Sequence, residues 1–187
     1  MCIRDRLYSV DVWLFYAVNH GLSNPVFDLL MPLVTTTKWW YPLYAVGIGY
    51  LLLRGWQQRS SSEGKNLIWC AALLLLAVAV LDQASHRLLK EVISRPRPYL
   101  VLGDVYQLVG SGGGSFPSNH AMNNSAAAVI LSGFFPNKRW IFWTIAATIT
   151  FSRVYCGVHY PSDVLGGAII GAGAGFLFLV SARRLMR

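Results

Sequence analysis

Charged side chains are scarce in this chain. Asp, Glu, Lys and Arg make up 13% of its 187 residues, about half the share of an ordinary soluble domain. The shortage lies in uncharged runs at 39–53, 67–81, 121–136, 140–152 and 164–182. Five such runs in so short a chain exclude a single soluble core and imply an integral membrane protein. Only the last approaches the roughly 20 residues that cross a bilayer unaided; the others reach that length if flanking polar residues continue the helix. Cysteine is also rare. Cys2, Cys70 and Cys156 are too few and too scattered for a disulfide framework, and Cys70, inside an apolar run, reads as a small buried hydrophobe. Carboxylates number 8, and nowhere do they combine with His or Cys at metal-ligand spacing, so no metal and no cofactor is expected. The net charge of +8 does not imply nucleic acid, because the basic residues punctuate the ends of apolar runs, as membrane-flanking charges do. No cleavable signal peptide is read at the start. Residues 1–6 resemble translated adapter sequence, leaving 7–187 as one transmembrane domain.

The expected fold is all-α, a polytopic membrane helix bundle with five to six membrane segments. Residues 10–21 suit an interfacial amphipathic helix. Asn24-Pro25 reads as a turn before 26–37, a short apolar segment whose full crossing is open. After the run at 39–53, residues 54–66 read as a polar loop. Leu67 opens a helix running to Lys90 or beyond, broken by Pro96 and Pro98. Residues 99–116, with a Gly/Ser run, lack helical periodicity. Ser118 is placed to cap a helix beginning near His120, residues 136–139 form a tight connection, and Pro161 and Asp163 mark the start of the last helix. There Gly167, Gly171 and Gly175 recur every fourth residue, a spacing for close helix contact.

What polar chemistry the chain has is concentrated in three blocks: Lys90-x6-Arg97-Pro98, Pro117-Ser118-Asn119-His120, and Ser152-Arg153-x5-His159-x3-Asp163. If each run from residue 39 onward crosses once, all three emerge on one side. The opposite side receives Arg54, Arg59, Lys65, Lys138, Arg139, Arg183, Arg184 and Arg187 and is cytoplasmic by the positive-inside rule. The blocks then face the periplasm or exterior. Lys90, Arg97 and Arg153 are suited to phosphate oxygens, and Ser118 with the N–H groups opening the next helix adds donors. His159 with Asp163 four residues on reads as an oriented nucleophile, and His120 as the acid that protonates the leaving oxygen and later activates water. Singly, Lys90 and Arg97 read as snorkelling anchors; jointly the spacing favours function. Asp82, His86 and Lys90 share a helix face, as headgroup contacts or as a structural polar face. Asn123 and Asn124 read as interhelical hydrogen-bonding residues.

The three blocks resemble the type 2 phosphatidic acid phosphatases, whose pattern is Lys-x6-Arg-Pro, Pro-Ser-Gly-His and Ser-Arg-x5-His-x3-Asp. The first and third match in full. The second carries Asn119 where glycine is usual, and asparagine's tolerance of positive φ leads us to expect the turn to survive. The resemblance implies a metal-independent membrane phosphatase acting through a phosphohistidine at His159, with His120 and Asp163 catalytic and Lys90, Arg97, Ser118, Asn119 and Arg153 holding phosphate. It implies a lipid phosphate partner in a bacterial plasma membrane, with undecaprenyl diphosphate first and phosphatidylglycerophosphate, phosphatidate or lipid A as alternatives. A non-catalytic phospholipid-binding or transport protein is the rival from another class; binding alone does not need His120 and the His159–Asp163 pair.

Overall fold

The computed structural model describes residues 3–186, which are helical and loop throughout. Helix α1 (Ile3–Asn19) leads to a turn in which the Asn24 side chain accepts from the backbone N–H groups of Val26 and Phe27. With Pro25 at the first helical position, that cap starts α2 (Pro25–Thr35). At 11 residues α2 is about 16 Å long, roughly half the hydrocarbon thickness, so residues 26–37 do not cross as one helix. A 3₁₀ turn, Thr37–Trp39, then leads to α3 (Tyr41–Gln57).

The polar loop expected at 54–66 is much shorter, only 58–61. Polar residues at the ends of the two flanking helices remain helical, and the Ser61 side chain accepts from Gly64 N–H to cap α4 (Ser62–Ala84). That helix runs through a π-helical turn, Ser85–Leu89, into α5 (Lys90–Ile93). Ser94, with φ 43°, ends it ahead of Pro96 and Pro98. A short helix α6 (Pro98–Val101) precedes a long loop, then α7 (Asn119–Phe134), a 3₁₀ turn at Pro136–Lys138, α8 (Arg139–Tyr155) and α9 (Pro161–Leu185).

Small residues let α7 and α9 touch along their backbones. A Cβ added to Gly167, Gly171 or Gly175 would lie 2.6, 1.9 or 2.7 Å from the carbonyl oxygens of Ser118, Met122 and Ala126. Lipid gives helices no hydrophobic reason to associate, so such close contact is what holds them. Helix α4 joins this pair through Cys70, Leu73, Ala77 and Leu81, packed with Met122, Ala126 and Ile130. Outward-facing apolar residues, among them Val46, Leu53, Leu75, Ile169 and Phe176, stay exposed, as lipid-facing side chains do. Stretches within Ser62–Val101 and Pro161–Leu185 are long and apolar enough to cross a membrane.

Helix α1 does more than lie at an interface. Its Phe15 is fully buried against Ala121, Val154, Tyr160 and Val164. Its polar Asp11 and Asn19 also face the protein. Asn19 donates to the carbonyls of Tyr106 and Tyr155 and accepts from Tyr106 N–H, tying the long loop to the end of α8.

Candidate active site

The end of α5, the start of α7, the end of α8 and the start of α9 meet at one end of the bundle, because successive helices run up and down. Arg97, Ser118, Arg153, His159 and Asp163 are all buried there, with Lys90 half-buried. Lys90 lies near enough to Arg97 and Arg153 for mutual repulsion, offset by Asp82 and Asp163.

Arg97 follows Pro96 in an extended conformation, which turns its guanidinium inward. It donates from Nε to Gly113 O (3.0 Å), from Nη2 to Gly112 O (2.8 Å) and from Nη1 to Val158 O (2.8 Å). The Gly/Ser run is therefore ordered around an arginine. Nη1 also lies 3.1 Å from His159 Nε2. A guanidinium can only donate, so Nε2 carries the lone pair and the proton sits on Nδ1. Nδ1 is 3.7 Å from Asp163 Oδ2, an electrostatic rather than a hydrogen-bonded distance. His159 lies in the turn between α8 and α9, where burial pushes its imidazole down to about 4 against the opposing pull of Asp163, with Arg153 and Arg97 adding to the depression. The ring is neutral at neutral pH.

His120 faces the other side of the site. Its Nε2 is 3.0 Å from both Thr35 O and Thr37 Oγ1. The carbonyl only accepts, so Nε2 holds a proton and Nδ1 is the nitrogen left to exchange one. Arg153 donates from Nη1 to Thr35 Oγ1 at 2.6 Å. A cavity of about 500 Å³ opens over both side chains, walled by residues that include Thr35, Thr37, Lys38, Trp39, Gly110 and Ser111. The role of the α2 end, through Thr35 and Thr37, has no counterpart in the sequence reading. A plain run of threonines at 35–37 carries no spacing signal.

Two expectations about the middle block are corrected. Ser118 occupies the cap position of α7, yet its side chain makes no capping bond and its buried Oγ has no partner; the cap position is held instead by Ser118 N–H bonding Asp163 O. Asn119 is not among the positive-φ residues but is the first helical residue of α7. Its side chain accepts from Ser85 Oγ (2.6 Å) and donates to Asp82 Oδ1 (3.1 Å), which turns the amide toward α4. Asn123 also donates to Asp82 Oδ1, which makes Asp82 an interhelical acceptor, while His86 is exposed. Asn124 bonds His120 O within its own helix, not across helices.

Arg95 is a site residue the sequence reading missed. It pairs with Asp163 (2.7 Å) and Asp11 (2.6 Å). Among the described residues no group of three or more His, Cys, Asp or Glu is arranged to hold a metal ion.

Residues 66–187 match the family model described as PAP2 superfamily. The chain is 33% identical over 97% of its length to the lipid A 4'-phosphatase of Bacteroides thetaiotaomicron, covering 80% of that protein. It is 31% identical over 85% of its length to the undecaprenyl-diphosphatase BcrC of Bacillus subtilis, covering 78% of it. Its fold is similar, with a TM-score of 0.73 and 27% identity, to the crystal structure of a transmembrane PAP2-type phosphatidylglycerolphosphate phosphatase from Bacillus subtilis, with 96% of this chain and 87% of that one aligned.

Proposed function

The chain belongs to the PAP2 superfamily and is a membrane phosphatase, and we propose that it releases the terminal phosphate of a lipid phosphate through a phosphohistidine at His159, without a metal ion. The observation that carries this reading is the setting of His159, buried between Arg97 at Nε2 and Asp163 near Nδ1. Two further buried polar atoms, Ser118 Oγ and Arg153 Nε, lack protein partners, and buried polar groups normally have one. An oxyanion seated among Lys90, Arg97, Ser118 and Arg153 supplies it.

In the first step His159 Nε2 bonds to phosphorus as the bond from phosphorus to the lipid oxygen breaks. His120 takes up the proton of the substrate's phosphate monoanion at Nδ1 and gives it to that oxygen. Asp163 stabilises the charge that builds on His159. In the second step His120, now a base, takes a proton from water while the water oxygen bonds phosphorus. The phosphorus–nitrogen bond breaks, and phosphate leaves with His159 restored. The cations stabilise the equatorial oxygens in both steps, the role a metal has elsewhere.

We further infer a bundle of five crossings from α3 onward (α3, α4–α5, α7, α8 and α9), with the site facing outward. The two sets of loops support it, since Arg54, Arg59, Lys65, Lys138, Arg139, Arg183 and Arg184 fall at the end away from the three blocks. For the leaving group we read a sugar hydroxyl, as in the phosphate esters of lipid A. The near-complete alignment with a lipid A 4'-phosphatase favours it, as does a cavity beside His120 walled by threonine hydroxyls and Trp39. A second reading, undecaprenyl diphosphate, draws on the similarity to an undecaprenyl-diphosphatase and on Lys38 at the cavity edge. Phosphate release by the purified protein from lipid A, undecaprenyl diphosphate and phosphatidylglycerophosphate, with EDTA present and His159→Ala as the blank, separates these. Turnover lost to EDTA and restored by magnesium overturns the metal-free mechanism. Release from the diphosphate alone overturns the sugar reading.

A further inference from the structure

Asp163 is fully buried, and the hydrogen bonds to its carboxylate come from groups other than His159. Oδ2 accepts from Ser115 Oγ at 2.5 Å and from Tyr160 N–H at 2.8 Å. Oδ1 accepts from Arg95 Nη1 at 2.7 Å. The other arm of the same guanidinium, Nη2, donates to Asp11 Oδ2 at 2.6 Å, and its Cζ lies 4.0 Å from the Tyr160 ring centroid, a cation–π distance. Asp11 in turn accepts from both the N–H and the Oγ of Ser162. Arg95 thus has both arms of its fork committed to two carboxylates and, through Nη1, to Ser162 Oγ at 2.6 Å. The second carboxylate comes from α1, outside the residues 66–187 that match the family.

We propose that Arg95, anchored by Asp11 of α1, is a positioning residue that fixes Asp163 against the turn carrying His159 and limits how much of the carboxylate's charge reaches the imidazole. The proposal rests on the reading of His159 as nucleophile. The charged and titratable groups that face His159 are Asp163 from α9, Arg97 from the turn after α5, Arg153 from α8 and His120 from α7. Arg95 acts on it through Asp163. With Arg95 neutralised, Asp163 is uncompensated and favours the imidazolium, which cannot attack phosphorus. The nucleophile is then lost at a higher pH than in the unaltered protein.

The test is kcat, KM and the pH profile of kcat/KM for the full-length protein on one lipid phosphate, so that the substrate's own ionisation is common to every variant. Arg95→Gln should lower kcat by roughly tenfold to a hundredfold with little change in KM and raise the acid limb by roughly one pH unit. Arg95→Lys keeps the charge, so its limb stays in place and part of kcat returns. Asp11→Asn loosens Arg95 without discharging it; kcat falls and the limb stays. A merely structural role would reduce the folded fraction and leave the limb where it was. An unmoved acid limb in Arg95→Gln overturns the proposal. If that variant does not accumulate, full kcat in both Arg95→Lys and Asp11→Asn does so instead. A His159→Ala variant that still turns over sinks the nucleophile assignment itself, whereas an inactive one beside an unmoved Arg95→Gln limb sinks only the role given to Arg95.

Discussion

Adding one methyl group at Gly171 should disable the enzyme from a point well inside the bundle. In a helix interior Gly→Ala ordinarily stabilises by up to about 1 kcal/mol. Here the new Cβ would sit 1.9 Å from Met122 O and 2.7 Å from Met122 C, where real Cβ atoms almost never come within 3.0 Å. The obstruction is backbone, which no rotamer change relieves, so α7 and α9 must separate by about 1 Å. Overpacking of this kind costs about 1–3 kcal/mol, which outweighs the propensity gain and makes the net effect destabilising. The same separation moves His120 on α7 away from Asp163 on α9, and about 1 Å of misplacement can cost on the order of a hundredfold in rate. Thermal unfolding in detergent and kcat on a lipid phosphate should therefore both fall in Gly171→Ala. Gly173→Ala is the control: nothing lies within 4 Å of its added Cβ, and it should be neutral or slightly stabilising. A Gly171→Ala protein with normal melting and normal kcat would refute the claim that α7 and α9 meet along their backbones.

Other outcomes follow from the site. Because burial holds His159 at about 4, the acid limb of kcat/KM should fall as pH drops through that value, with the neutral ring present above it; a limb near the ordinary imidazole value would contradict the burial argument. Ser118→Ala removes an unpartnered buried hydroxyl, so melting should hold or rise while inhibition by vanadate weakens several-fold, by about 1 kcal/mol; lowered melting with unchanged vanadate affinity would make Ser118 structural. Asn119→Gly restores the residue usual in the resembling family but deletes the bonds to Asp82 and Ser85 and should destabilise by about 1–3 kcal/mol. A more stable Asn119→Gly protein would show that the bridge between α4 and α7 contributes nothing.

The legible part of the molecule is the part written locally. Asp163 follows His159 by four residues, and the glycines of α9 repeat at the spacing that faces one neighbour, so both could be read from the chain alone. The helix break after Ile93 was equally visible, since proline carries its own signal. Arg95 was not, because its partners Asp11 and Asp163 lie 84 and 68 residues away and no pattern in sequence joins them. Thr35 and Thr37 were missed for the same reason. The shortened loop at 58–61 has another cause: polar residues that read as loop continue α3 and α4 beyond their apolar runs. Asn119 was misjudged because its side chain, rather than its backbone freedom, explains its place beside Asp82.

The mechanism proposed for His159 requires a covalent bond between phosphorus and one nitrogen. Brief reaction with a lipid phosphate labelled in its terminal phosphate, followed by denaturation in base and peptide mapping, should place acid-labile, base-stable label on the peptide carrying His159. The label should increase in His120→Ala, where hydrolysis of the intermediate lacks its base, and vanish in His159→Ala. Label on His120, or full turnover by His159→Ala, would contradict it.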